Sequence, residues 1–564
     1  MSLFSQQDRA LRATTALDDD ALLLVGLEGT EAICELFEFQ LELLSPIGSS
    51  IDFSRVLGQP VGVSIQQDFL PARLLHGIAI EFEEGRTDEA FTSYRMLVRP
   101  RMWWLTRRHR SRTFQQMCVV DILKDVFAGL EMRLELHDRY PSRNYCVQYD
   151  ESDYDFVCRL MEEEGIFFFH EFEADKHTLV LTDGNANLPD LTQPNPVIFE
   201  ALEGGVRDEA RITSWNKRQR LESTSVTLWD HSFELPGQHL EAEEMISSEV
   251  QVGTVSHTLD PAKEFSEVYH YPGEYAKRFD GVAPGGGDRA SDPPKTFDDN
   301  DRTCKLRMEE LAARTISITG ESNCSHLTAG HRFALTRHDN ADGSYLLKRI
   351  SHKARLEIAY RSDAAEGELS EAELEYSNTF ECLPIALPYR PASKTPRPHI
   401  SGVQTATVVG PEGAEVFVDK YGRVKVQFHW DRAGKNNADS SCWVRVAQVW
   451  AGKRWGAFFW PRIGHEVVVS FVEGDPDRPL IVGSVYNAAN MPPLEVPENA
   501  MIGGFKSCIF GGDPMTNFNA LMFYDAKGSE FIQLHSERQE MRNCEHDEYH
   551  YVPHKRYTIR GSIL

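Results

Sequence analysis

The chain reads as mainly β with α+β elements. Between Val416 and Asn487, short runs of β-branched and aromatic residues alternate with tight polar turns, and nothing there reads as a long helix. That is the pattern of a small closed barrel. The front of the chain shows the two-residue alternation of half-buried strands, and helical periodicity is confined to short stretches. At 564 residues the chain exceeds what one hydrophobic core supports, so several domains are expected.

In the front part, Phe37–Ser45 alternates apolar and polar residues, and Val61–Ile65, Leu74–Ile80 and Tyr94–Val98 read as further strands. A helix is predicted over Val120–Phe127, where Ile122, Leu123, Val126 and Phe127 share a face. A second helix carries the stripe Phe156, Val157, Leu160 and Met161. Ser152 or Asp153 can cap it and Gly165 ends it. Strands follow at Ile166–Phe169 and Leu179–Asp183. The glycine- and proline-rich stretch Gly281–Asn300 reads as a mobile, disordered loop, with a helix from about Arg302 to Ala313 and strands at Phe333–Leu335 and Tyr345–Leu347. Leu383–Pro398, with Pro384, Pro388, Pro391, Pro396 and Pro398, is the best linker, since proline keeps a crossing extended and stiff. After the barrel, Asn490–Pro493 and Pro497 make a second break. Two strands then flank the turn Asp525–Gly528, and the polar tail beyond Glu537 needs partners to be ordered.

A net charge of -27 disfavours nucleic acid and anionic lipid as partners. The local exception lies between Arg99 and Arg112, where Arg107, Arg108, His109, Arg110 and Arg112 cluster; it reads as a solvated basic face or a patch meeting an acidic neighbouring subunit. None of the ten cysteines forms a Cys-x-x-Cys pair, so reduced thiols are expected. Met1–Arg9 lacks the features of a signal peptide, and no apolar run is long enough for a bilayer.

Candidate chemistry is sparse. Cys544, His546, His550 and His554 could ligate a metal, but they read better as a hydrophilic face with no core to fix their geometry. Glu162, Glu163 and Glu164 point in different directions on a helix and are expected to be solvated rather than catalytic. Gly285–Gly287 lacks the lysine and the strand-to-helix setting of a phosphate loop. No Gly-x-Ser-x-Gly elbow or His-Glu-x-x-His site is present. Trp430, Trp443, Trp450, Trp455 and Trp460 could stack on bases or sugars; the acidic charge argues for packing in the barrel core or at a neck between subunits. No catalytic, cofactor or metal residue is assigned, and no cofactor is expected.

Three regions in the same order resemble the VgrG family of type VI secretion spike proteins. Phe37-Glu38-Phe39, His76-Gly77, Tyr149–Phe156, Met161–Ile166 and His270-Tyr271-Pro272-Gly273 are similar to that family's phage-hub-like domain. Asp419–Val426, Pro461–Val467 and Gly474–Pro479 resemble its oligonucleotide/oligosaccharide-binding (OB-fold) barrel. Within them Asp419, Tyr421, Gly422, Pro461, Gly464, Gly474, Asp475, Pro476 and Asp477 are the structural motif residues. Phe523–Glu530 resembles the entry to a β-helical stalk. The resemblance divides the chain into a phage-hub-like domain with barrel modules (1–380), a proline-rich linker (381–400), an OB-fold barrel (401–490) and the start of a trimeric β-helical stalk (491–564).

The resemblance implies a nonenzymatic homotrimer. It would dock on a hexameric inner tube protein, carry a tip protein or effector on its stalk, and make transient contact with a target membrane. It would be cytoplasmic before firing and secreted afterwards. The alternatives are a hub-spike protein of a contractile phage tail or extracellular injection particle, and an enzyme delivered as its own cargo. The Met491–Met501 connection leaves no room for the lysozyme domain of some phage relatives. No extended valine-glycine repeat precedes Leu564, so a short or truncated stalk is expected.

Overall fold

The structure, a computed structural model, describes residues 5–67, 70–201, 209–356, 373–555 and 557. Residues 1–4 of the predicted signal-free start lie outside them. Strand Glu38–Pro46 shows how the front is built: Phe39, Leu41 and Leu43 are buried and the residues between them face outward. It lies between Leu23–Ala32 and Phe91–Arg99, antiparallel to both. Six strands in the order Leu11–Thr14, Pro60–Ile65, Arg73–Thr87, Phe91–Arg99, Glu38–Pro46 and Leu23–Ala32 wrap one core that includes Phe39, Leu41, Val63, Leu75 and Met96.

A second unit continues from the first, because Leu23–Ala32 also pairs with Gly343–Leu356. From there the order runs Arg332–Thr336, Val197–Phe199, Arg211–Gln219, Ile316–Ser322 and Leu374–Pro384, which pairs back onto Gly343–Leu356 and closes a barrel. Phe333, Tyr345, Ile318 and Phe380 fill it.

Three α-helices are present among the described residues. Helix α1 (Val119–Val126) and α2 (Asp153–Glu164) pack in a third core with Phe114, Phe127 and Phe168. The Ser152 hydroxyl accepts the Asp155 N–H at 2.9 Å, and Gly165 closes α2 with φ 72°, as the sequence predicts. Helix α3 runs from Lys295 to Ala312, so it starts inside the stretch expected to be a mobile loop. That expectation is corrected along its length. Val282 is buried and bridges Asp288, and the Ala283 carbonyl accepts the indole N–H of Trp443 at 2.9 Å. Glycine and proline here shape a packed connection rather than a loose one.

The barrel has five strands in the order Lys425–Phe428, Gln404–Val409, Glu466–Phe471, Pro479–Val485 and Arg445–Val446. Reciprocal hydrogen bonds between Val424 and Val444, at 3.0 and 2.7 Å, link its two ends. Strand Gln404–Val409 lies ahead of the stretch singled out by pattern, and Val416–Asp419, where that stretch begins, forms no ladder. After the barrel, the described residues form one three-stranded antiparallel sheet, Ile502–Lys506, Ala520–Tyr524 and Phe531–His535.

Beneath the first unit lies a buried histidine cluster. The Arg101 backbone N–H donates to His177 Nε2 at 3.0 Å, so the proton of neutral His177 sits on Nδ1, 3.0 Å from His76 Nδ1. Burial, then His76 and Arg101, push the His177 pKa down to about 3; burial lowers His76 and His170 as well. The unfolded chain protonates His177 near 6.5, so its contribution is complete above that pH and is lost on acidification toward 3. The lowered carboxylates Glu163 and Glu164 act only below their ordinary value of 4.5. Stability should therefore already fall between pH 6.5 and 4.5, by up to about 1.4 kcal/mol per pH unit from His177, and the melting temperature with it. His177→Gln should flatten that slope in pH-dependent melting; an unchanged slope would contradict this account.

Candidate functional site

Where the barrel meets the front units, the interface has an apolar half and a charged half. Tyr145 and Val147, on strand Arg143–Ser152, insert into the barrel's own core beside Ala406, Val426 and Val469. Around this plug stand ion pairs built from the motif residues.

The Asp419 carboxylate accepts the N–H groups of Tyr421 and Arg423, each at 2.9 Å, and Arg423 Nε at 2.6 Å. Gly422 sits in this turn at φ 72°, and a Cβ there would stand 2.4 Å from Trp460 Nε1. The turn aims Arg423 at Asp280 of the front part, which it grips with two bonds of 2.8 Å. Tyr421 is exposed on one side and meets Phe233 edge to face at 5.3 Å.

On the second side, Lys277 Nζ lies 2.5 Å from Asp475, 3.1 Å from Asp477 and 2.8 Å from Glu274. Asp477 also accepts the Val147 N–H at 2.7 Å. Burial opposes the Lys277 charge, but Asp475, Asp477 and Glu274 overcome it and raise its pKa. Burial and the neighbouring Asp477 keep the Asp475 carboxyl above its usual range despite Lys277. Pro476 is buried, and Gly474, at φ 73°, lies so close to His399 that a Cβ would fall 2.0 Å from the ring. Pro461 is buried at the foot of the barrel, and Gly464 makes an open turn at φ 89°.

Behind this latch stands the glutamate triplet, and its predicted solvation is wrong: Glu162, Glu163 and Glu164 are all buried. Glu162 accepts the N–H groups of Lys394 and Thr395 at 3.1 and 3.0 Å. Glu163 pairs with Arg143 at 2.7 Å and Arg397 at 3.1 Å. Glu164 meets Arg143, Arg302 and Arg278. Burial would raise the Glu163 carboxyl, but Arg397, Arg143, Arg159 and Lys277 hold it well below the carboxylate range; Arg278, Arg143 and Arg302 do the same for Glu164. Helix α2 has structure on every side, so carboxylates pointing in different directions each find partners: amides for Glu162, cations for Glu163 and Glu164.

Other expected features lie elsewhere. Arg107, Arg108, His109 and Arg110 are exposed, whereas Arg112 is partly buried and bonds Gln148 at 2.8 Å. Trp443 is buried and Trp430 half-buried, while Trp450, Trp455 and Trp460 are exposed in the single chain. Cys544, His546, His550 and His554 are exposed, and His550 bonds Glu548 at 2.7 Å. Among the described residues no His, Cys, Asp or Glu group of three could hold a metal ion. Sequence reasoning missed Lys277, Asp280 and Arg397, which stand in none of the quoted motifs; Arg423 lies within Asp419–Val426, but nothing local announces its partner Asp280.

Residues 30–357 match the phage tail baseplate hub (GPD) family, and residues 414–486 match the type VI secretion system/phage-baseplate injector OB domain. The type VI secretion system spike protein VgrG1b of Pseudomonas aeruginosa is 36% identical over 559 residues, 98% of this chain and 70% of the relative. The chain is a member of the VgrG spike family. Its VgrG fold also matches the E. coli c3393 protein, described as a type VI secretion component similar to the T4 tail proteins gp27 and gp5. There the TM-score is 0.54 at 18% identity, over 84% of this chain and all of that one. A Francisella PdpA–VgrG complex gives a TM-score of 0.53 at 11% identity, over 93% and 88% of the two chains. These two likenesses concern the fold. In VgrG terms the latch joins the phage-hub part to the OB barrel.

Lys277→Met would leave Asp475 and Asp477 without their cation in a largely enclosed place, while Glu274 keeps Arg397. A loss of about 3–5 kcal/mol is expected, read by denaturant unfolding. Gly422→Val would force a β-branched residue into positive φ against Trp460, costing at least about 1–2 kcal/mol; a variant that melts like the parent would disprove the reading of that turn.

Proposed function

We propose that this VgrG chain acts as a homotrimeric, nonenzymatic spike. The supporting observation is apolar surface that a single chain leaves uncovered at its distal end. Val449 is 96% exposed and Ile532 69%, with Phe505, Phe531 and Leu534 also open to solvent. The sheet that carries the last four keeps free edges at Ile502–Lys506 and Phe531–His535 among the described residues. Unpaired strand edges beside exposed aromatic and aliphatic side chains are satisfied when further chains pack about one axis.

In this reading 1–380 is the hub, 381–400 the crossing segment, 401–490 the OB barrel and 491–564 the start of the stalk. Two six-stranded units per chain would give three chains a near six-fold base, suited to a hexameric inner tube protein. The stalk would carry a tip protein or an effector and make transient contact with the target membrane. The protein would be cytoplasmic before firing and secreted after it. Asp419, Tyr421, Gly422, Pro461, Gly464, Gly474, Asp475, Pro476 and Asp477 serve architecture rather than catalysis. A contractile phage tail would use the same plan, and the relatives named as type VI spike proteins favour secretion.

Light scattering should return three times the 64.0 kDa chain mass, and Ile532→Asp should weaken assembly while leaving the barrel's melting unchanged. A stable monomer at micromolar concentration would refute the trimer.

A further inference from the structure

Two cavities on the hub, of about 390 and 190 Å³, share Glu310 and Arg314 and form one groove. It runs beside the C-terminal half of α3, between strand Glu267–His270 and the crossing segment near Ser393. Val226, Leu228, Val268 and Leu311 give the larger cavity an apolar lining. Eight lysine and arginine side chains line the whole groove against three glutamates, in a chain whose net charge is -27. Positive potential concentrated on an acidic molecule selects an acidic partner.

Most of these cations already have carboxylates: Arg307 pairs with Glu310 at 3.0 Å, Arg390 with Glu309 at 2.7 Å and Arg397 with Glu274 at 2.7 Å. Two retain capacity. The Arg218 guanidinium has no hydrogen-bond or ion-pair partner among the described residues. Arg278, only 3% exposed, pairs through NH1 with Asp299 but leaves its Nε donor unmet. A buried donor without an acceptor is costly, and an incoming oxygen would relieve it. The wall strand Glu267–His270 is also the edge of its sheet, in which, among the described residues, it pairs only with Ser225–Asp230. A free edge accepts an extended chain through backbone hydrogen bonds.

We propose that this groove binds an extended segment of another polypeptide in which carboxylate side chains alternate with apolar ones. The carboxylates would meet Arg218, Arg278 and, beside its present partner Glu310, Arg314, and the apolar side chains would meet the floor. A nucleic-acid strand would answer the cations but leave that floor uncovered. The proposal is separate from trimer assembly, because its readout is binding.

The test is fluorescence anisotropy of a labelled peptide of alternating glutamate and leucine, titrated with the full chain. Binding should weaken as salt rises. It should fall about tenfold or more in the double variant Arg218→Glu/Arg314→Glu, and stay unchanged in Arg108→Glu on the separate basic run. Melting is measured on each variant. If the double variant does not fold, Arg218→Gln replaces it, with an expected loss of about threefold. Absence of binding, binding indifferent to these substitutions, or equal binding of a single-stranded oligonucleotide of matched charge would overturn the proposal. Salt-sensitive self-association abolished by the same substitutions would also overturn it, by assigning the groove to a second copy of this chain.

Discussion

Three consecutive carboxylates on α2 are carried out of bulk water, and the surrounding structure is arranged to meet them. An ionised glutamate in such a place is costly unless cations and donors are fixed around it. Glu162 holds the crossing segment through the Lys394 and Thr395 amides. Glu163 reaches Arg397 on the same segment, and Arg397 in turn pairs with Glu274, the partner of Lys277. Lys277 then reaches Asp475 and Asp477 on the barrel. Glu164 extends the network the other way, to Arg278 and Arg302. Helix, crossing segment and barrel are thus tied by one line of charge, and moving any one of them leaves a charge unmet in a dry place.

The apolar half of the junction does a different job. Burying Tyr145 and Val147 in the barrel core contributes free energy in proportion to area and tolerates small rotations. The bidentate Arg423–Asp280 pair tolerates very little, because both of its bonds depend on the plane of the guanidinium. Strength from the plug and orientation from the ion pairs together hold hub and barrel as one stiff body. That combination keeps the two parts aligned with one another.

What the sequence discloses follows from the range of the interactions involved. The barrel is legible because alternation in Glu466–Phe471 and turn chemistry at Asp419–Arg423 are local, and the structure bears out the capped helix at Ser152 for the same reason. The glutamate triplet is not legible: besides Arg143, its cations are Arg278, Arg302 and Arg397, more than a hundred positions away, so its pattern is indistinguishable from a solvated face. The first turns of α3 are hidden similarly. Thr296, Asp299 and Asn300 are polar, yet buried, so no apolar stripe marks them. Composition alone turns Gly281–Asn300 into a loop, while Trp443, far along the chain, packs it down.

The distribution of charge bears on how copies of the chain can meet. Much of the arginine complement is spent inside, on the α2 carboxylates and the barrel latch, so the excess of acidic groups is left on the outer surface. Like-charged surfaces repel, more strongly at low salt, and that repulsion opposes association of copies. In the proposed trimer, contact between copies comes from surface whose burial does not depend on charge. The exposed aliphatic and aromatic side chains from Val449 through Leu534 form such a surface, at the end of the molecule away from the buried arginines of α2 in sequence. The same partition accounts for the hub groove: Arg218 escapes internal pairing and Arg278 keeps one donor unmet, and together they make a cationic exception on an acidic protein. Such an exception attracts acidic chains of either origin, and the groove's apolar floor decides which of them stays.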